Sequence, residues 1–180
     1  MRNEQRFFLS GVLFAPFFFS ALCFAGLPKK VEIADGRIAF ELPDGWRETD
    51  LNAGAVLAGF TSSDKRASAF FREIDAGVGG SMKDIIDATI ANFKKTLDVK
   101  KVDESKTGQV SGPEKKWPSI FTTAEADIDT GEKEFPMKFY LLVFDTGTSL
   151  YFLQASTTLP VRGSHEQMIF DLIRSIVAKS

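Results

Sequence analysis

Apolar residues recur along the first part of the chain with period two. In Arg37-Ile38-Ala39-Phe40-Glu41-Leu42, the residues Ile38, Phe40 and Leu42 alternate with Arg37, Ala39 and Glu41. That period places the apolar set on one face of a strand. Residues 31–33 are a shorter piece of the same kind, and Asp35-Gly36 between the two is a hairpin signal. Pro43 cannot donate to a ladder and so ends the strand. Asp44-Gly45 suits a tight turn, and Trp46 then has a large apolar area to bury. The corner reads as a packing feature with Trp46 in the core. Residues 47–53 are polar and read as a loop. Residues 55–61 and 67–74 are apolar runs separated by Ser62-Ser63-Asp64-Lys65, a second hairpin.

The period then changes. Met82, Ile85, Ile86, Ile90, Phe93 and Leu97 fall at helical spacing and predict a helix over 81–97. Ser81 suits its N-cap, and Asp84 near the start and Lys94 and Lys95 near the end suit the helix dipole. Residues 99–110 are charged and read as one or two edge strands before a break at Ser111-Gly112-Pro113. Three long β stretches follow. Ile120, Thr122, Ala124, Ala126 and Ile128 alternate with more polar residues. Phe135, Met137, Phe139, Leu141 and Val143 line one face of the next stretch, and Tyr140, Leu142 and Phe144 line the other. Residues 150–155 are apolar on both faces. Strands of that kind need a layer above and below the sheet. A second helix is predicted over 164–178, with Ser164 and Gln167 as a capping box and Ile169, Leu172, Ile173, Ile176 and Val177 as its stripe. Two amphipathic helices far apart in sequence can cover the two faces of one antiparallel sheet. Phe93, Phe139, Phe152, Leu172 and Ile176 are the expected core.

The first 25 residues stand apart from this pattern. Arg2 and Arg6 precede an apolar run reaching Phe24, and Cys23-Phe24-Ala25 offers small residues at the positions a signal peptidase reads. Residues 1–25 are expected to be a signal peptide, cleaved between Ala25 and Gly26. The protein is then periplasmic or secreted, and 26–180 form one domain. An uncleaved run of about 19 residues is near the length that spans a bilayer, so membrane association follows only if the segment is retained. A lipoprotein needs a small residue before Cys23, where Leu22 stands, and no adjacent arginine pair marks the twin-arginine route. Cleavage removes the single cysteine, which excludes disulfides and thiol chemistry from the domain. It leaves 20 basic and 23 acidic residues, a net of −3 against −2 for the whole chain. No basic field for nucleic acid exists.

Candidate chemistry is sparse. Asp129-Thr130-Gly131 and Asp145-Thr146-Gly147 resemble aspartic-protease loops, whose chemistry needs two carboxylates sharing a proton. Each also fits a β-turn in which Asp bonds its own backbone and Gly supplies positive φ. The turn reading is adopted, because the strand between the triplets would hold them roughly 40 Å apart at about 3.3 Å per residue. Gly77-Val78-Gly79-Gly80-Ser81 precedes a helix but matches no phosphate-binding fingerprint, and it reads as a flexible connection. His165, the only histidine, lacks a Cys or His partner for zinc and reads as a solvated residue at a helix end. Lys115-Lys116 and Lys94-Lys95 read as solvated faces, and Trp117 as core or as an interface anchor. Acidic residues at 125, 127 and 129 are spread by the strand period, a poor arrangement for calcium. No catalytic, cofactor-binding or metal-binding residue is assigned.

One resemblance rests on the order of elements. A strand ending Phe40-Glu41-Leu42-Pro43-Asp44-Gly45-Trp46 is followed by a hairpin, a mid-chain helix, a long antiparallel meander and a C-terminal helix ending Ile176-Val177-Ala178-Lys179-Ser180. Over 31–180 this resembles the PsbP-like fold family, shared by the PsbP subunit of photosystem II, the Ran-binding import factor Mog and exported DcrB-like bacterial proteins. The resemblance implies an α+β fold: an α/β/α sandwich with a central, mostly antiparallel sheet and a helix layer on each face. It also implies action by binding larger assemblies. None of the family's functional residues can be matched here, and an export signal argues against nuclear import. The expected function is an exported, non-enzymatic binding or accessory module associated with an envelope or extracytoplasmic protein complex. A carboxylate-based exported hydrolase is the alternative.

Overall fold

The computed structural model describes residues 29–50, 56–74 and 80–179. The leader, the end of the loop after Trp46, the start of the second hairpin at Ala55 and Gly77 to Gly79 of the glycine-rich segment lie outside them. Among the described residues are eleven strands in one sheet and two helices, an α+β fold. The strands are β1 (Lys29–Ile33), β2 (Ile38–Leu42), β3 (Trp46–Glu48), β4 (Val56–Ser62) and β5 (Ala67–Ile74). After helix α1 (Met82–Thr96) come β6 (Asp98–Val102), β7 (Lys106–Ser111), β8 (Lys116–Asp129), β9 (Glu134–Asp145) and β10 (Leu150–Thr158). Helix α2 (Gly163–Ser175) and a two-residue strand, β11 (Val177–Ala178), end the fold. The hydrogen-bonding order is β1-β2-β11-β7-β8-β9-β10-β5-β4-β3, with β6 pairing β8 as well. All pairings are antiparallel except that of β11 with β7.

The turns follow their residue chemistry. Asp35 and Gly36 both take positive φ, and Arg37 N–H bonds Ala34 O at 3.1 Å, as a tight hairpin between β1 and β2 requires. At the next corner Trp46 N–H bonds Pro43 O at 3.1 Å around Gly45, whose φ is +76°. Trp46 is buried as expected. The polar stretch after it is not all loop, because Trp46–Glu48 pairs with β4 as a short edge strand.

Period-two alternation divides β9 between two cores. Phe139, Leu141 and Val143 join Ala124, Ala126, Leu150 and Phe152 on one face, where Ile85, Ile86, Ile90 and Phe93 of α1 cover them. Small Ala124 and Ala126 let that helix approach β8, and the Phe93 and Phe139 rings lie 4.7 Å apart. Tyr140, Leu142 and Phe144 belong to the other face with Tyr151 and Leu153, against Ile169 and Leu172 of α2. Ser81 caps α1 in a full capping box with Asp84.

The sheet is curled into a half-barrel. Five strands separate β2 from β5 in hydrogen-bonding order, yet Phe40 stacks on Phe71 with centroids 4.8 Å apart and meets Phe60 edge-on at 5.4 Å. Arg37 forks onto Glu73 with contacts of 2.6 and 2.9 Å, tying the same two edges together. The concave face therefore holds the core that includes α2, and α1 lies on the convex face.

Two readings of the C-terminal helix need correction. Ser164 does not cap it: the helix starts one residue earlier, its N-cap position is Arg162 without a side-chain hydrogen bond, and Gln167 bonds Asp171 instead. Nor does it reach 178. It stops at Ser175, and Val177 and Ala178 pair with Ala39 and Ile38 of β2. Ladder bonds, with Lys179 N–H to Arg37 O at 2.7 Å, replace helical ones there. Ile176 stays in the core as the hinge residue.

Phe40→Ala and Phe139→Ala each remove a buried ring, one from each core, and each is expected to cost about 3–5 kcal/mol in urea denaturation. An unchanged midpoint for either would contradict the core assignment.

Candidate functional site

The motifs singled out from sequence resolve into structural parts. Asp129 Oδ1 and Asp145 Oδ1 accept Gly131 and Gly147 N–H, both at 2.7 Å, and both glycines have φ of +81°. The triplets are two like turns at opposite ends of β9. Trp117 is core: its indole N–H donates to Ala178 O at 2.8 Å, and Lys115 Nζ sits 4.0 Å above its ring. Of the glycine-rich segment, Gly80 takes φ of +69° just before the α1 cap.

His165 departs from expectation. It is buried at 6% exposure, with Nε2 3.0 Å from Asp64 Oδ2. The α2 stripe Ile169, Leu172, Ile176 extended back one turn lands on position 165, so the imidazole faces inward. Asp64, in the β4–β5 turn, also accepts from Ser62 Oγ at 2.7 Å and from Arg66 N–H at 3.1 Å. Those two bonds, ahead of the histidine, hold its carboxyl below the usual range. Ser62, Asp64 and His165 do not form a nucleophilic triad. The carboxylate lies between hydroxyl and imidazole, so the histidine cannot take the serine's proton.

Two further polar clusters are clamps. Glu166 Oε1 receives Lys138 Nζ at 2.9 Å and Tyr140 Oη at 2.8 Å, joining α2 to β9. Burial, then the bond to Glu166, pushes the Tyr140 phenol well above its ordinary pKa. Glu73 holds Arg37 and Ser149, the latter at 2.6 Å. The bond from Lys138 lowers the Glu166 carboxyl, and that from Arg37 lowers Glu73. On the β6–β8 ladder, Asp98 faces Asp127, and Lys100 Nζ contacts both at 2.5 and 3.3 Å.

An open groove of about 280 Å³ remains on the concave face. Its floor is Ser119, Phe121 and Leu142 from β8 and β9, and its far wall is Ile173, Arg174 and Ile176 of the α2 end. Its near wall is the backbone edge of β7, from Gly108 to Ser111. The gap exists because α2 leaves the sheet line at Ile176. Ser175 Oγ accepts Glu41 N–H at 2.9 Å, so the helix end satisfies β2 and leaves β7 uncovered. Ser119 is 5% exposed and lines the groove. Sequence reasoning missed this groove. No local pattern in 106–111 announces it, because it depends on β2 and β7 being neighbours across a gap.

Two outcomes check these assignments. Glu73 and Glu166 have folded-state pKa values below their unfolded ones, so their stabilisation is complete above about pH 4.3 and is lost as pH falls through the lowered folded values. Urea midpoints measured down that range should fall less steeply in Glu166→Gln and Glu73→Gln than in the parent, and parallel curves would contradict the clamps. Asp145→Asn should cost at most about 1 kcal/mol, a turn bond's worth, and remove no hydrolytic activity. Acid-activated proteolysis abolished by the substitution would contradict the turn assignment.

No family model matches the chain, and no curated protein matches it in sequence. Solved structures do match in shape. The Saccharomyces cerevisiae Ran-binding protein Mog1p superposes with a TM-score of 0.56 at 8% identity, covering 83% of this chain and 94% of that one. LpqN, involved in cell envelope biogenesis of Mycobacterium tuberculosis, gives 0.55 at 10% identity over 86% and 91%. Cyanobacterial PsbP (CyanoP) from Synechocystis sp. PCC 6803 gives 0.51 at 14% identity over 89% and 99%. At such identities the likeness is one of architecture, and the chain has the PsbP/Mog1-like fold.

Proposed function

We propose that this protein is an exported, non-enzymatic binding or accessory module that acts on an envelope or extracytoplasmic protein. The observation that carries the reading is the groove between β7 and α2. It joins an apolar floor to a strand edge that pairs on its outer side only at Ser111, which are features a protein segment can fill. The described carboxylates discussed above serve turns and clamps, which favours binding over carboxylate-based hydrolysis. The fold is shared with a Ran-binding protein and with an envelope-biogenesis protein, which supports a protein partner. On this reading residues 1–25 are removed and 26–180 form one domain. The curled sheet with a helix against either face is then a variant of the α/β/α sandwich. Among the described residues no helix is long and apolar enough to cross a membrane, so membrane association would rest on a retained leader.

The test places a photoreactive residue at Gln109, an exposed position on the groove wall, in the producing cell at native expression. The expected result is a discrete protein adduct, on a chain whose mass begins at Gly26. An adduct no stronger than from a control position on the outer face of α1, at Lys94, would overturn the binding reading. A full-length mass with membrane retention would make the protein an anchored one.

A further inference from the structure

Strands β8 and β9 outrun the sheet around them. The last pairing of β9 with β10 is Met137 with Thr158, and the last of β8 with β6 is Asp127 with Asp98. The β8–β9 ladder continues through Ile128–Phe135 to Asp129–Glu134. Residues 128–135 therefore form a two-stranded ribbon standing clear of its neighbours, and 129–136 are all exposed. A lone ribbon is marginal in water, but this one is pinned. Asp129 Oδ1 accepts Gly131 N–H at 2.7 Å, and Lys133 O accepts both the N–H and the hydroxyl of Thr130 at 3.1 Å. Pro136 fixes φ at the base of the second strand, and its carbonyl accepts Leu159 N–H at 2.7 Å.

The two faces of the ribbon differ. Phe135 has the parity of Phe139, Leu141 and Val143, so it lies on the convex side with its rung partner Ile128. Ile128 packs back onto the convex core, whereas Phe135 is 43% exposed, against 38% for Val102 and 36% for Leu57. A single exposed apolar residue is ordinary on a surface, but this one stands at the free end of a pinned ribbon. The next rung, Asp129 with Glu134, points to the opposite face, and Glu132 and Lys133 occupy the turn. Three carboxylates against one ammonium give 128–135 a net charge of −2, the same as the whole chain. Cations further down the strands are engaged: Lys100 contacts Asp98 and Asp127, and Lys138 contacts Glu166.

We infer that the β8–β9 tip is an interaction surface separate from the groove: a preformed finger that enters a cleft on a partner protein, with an apolar wall for Phe135 and Ile128 and a basic wall for Asp129, Glu134 and the Glu132 turn. The ribbon is one strand pair wide, about 5 Å between strands, so one cleft meets both faces at once. Phe121 of the groove lies seven residues back along β8, roughly 23 Å at about 3.3 Å per residue. A pinned tip loses little freedom on binding. The exposed ring supplies an aromatic anchor, and the carboxylates select a basic wall over an acidic one. A membrane surface is the poorer fit, since anionic headgroups repel the carboxylates that flank Phe135.

The experiment places a photoreactive residue at Lys133, on the exposed turn, in the producing cell at native expression. The expected result is a discrete protein adduct whose cross-linked partner peptide is rich in arginine or lysine. Phe135→Ser should lower the yield of that adduct at least about tenfold. Glu132→Lys and Glu134→Lys, made together on exposed side chains, should do the same. Urea midpoints of the purified variants separate binding from folding, and that of the double variant should match the parent. If Phe135→Ser lowers its midpoint, the double variant carries the test. An adduct no stronger than from Lys94, an acidic partner peptide, or an adduct indifferent to the double variant would overturn the proposal. So would sedimentation of the purified protein with phosphatidylcholine vesicles that Phe135→Ser abolishes, which would assign the tip to a membrane. An adduct at Gln109 with none at Lys133 removes the finger and leaves the groove reading standing; an adduct at Lys133 with none at Gln109 does the reverse.

Discussion

The structure depends on β9 being buried on both sides. From Phe139 to Phe144 every side chain is in the interior, and neighbours belong to different cores. A strand with no solvent face cannot slip by one residue, since a slip would exchange the two sets and misfit both layers at once. Its register therefore fixes those of β8 and β10 on either side. Through β10 it fixes β5, which must meet β2 across the concave core. Large side chains occupy the concave set, Tyr140, Leu142 and Phe144 with Tyr151 and Phe71. Convex-side β8 instead offers Ala124 and Ala126. Bulk inside and small residues outside fit a sheet that bends around one core and lets a helix lie close on the other.

Curling brings the far strands together but does not close them into a barrel. Between β2 and β7 the ladder is two residues long, and the end of α2 fills part of the remaining width. The three polar clusters sit where closure must be held by side chains instead of backbone. Arg37–Glu73 joins the β1–β2 turn to β5, Asp64–His165 joins the β4–β5 turn to the start of α2, and Lys138–Glu166 joins β9 to α2. Each spans elements distant in sequence and is partly or largely shielded from water, where a pair is worth more than on an open surface. Of the groups that look most like catalytic machinery, those at His165 and Glu166 thus keep α2 in the mouth of the half-barrel, and Arg37–Glu73 holds the strands on either side of it together.

Much of this was legible in the chain and some was not, for reasons that can be named. The helix at Met82–Thr96 and the paired faces of β9 were readable because their periods run long enough to leave no second solution. Trp46 was readable because a proline, an aspartate and a glycine leave one way to turn. The end of α2 was not. Ile173, Ile176 and Val177 keep helical spacing, yet the β2 edge was waiting for two more residues, and nothing local records that. His165 is legible from the period, since it lies four residues before Ile169 on the same stripe and is buried with it. Ser164 missed the cap position by two residues, within the usual scatter of helix ends. The groove could not be read at all, since it exists only where residues 38–42 and 106–111 become neighbours.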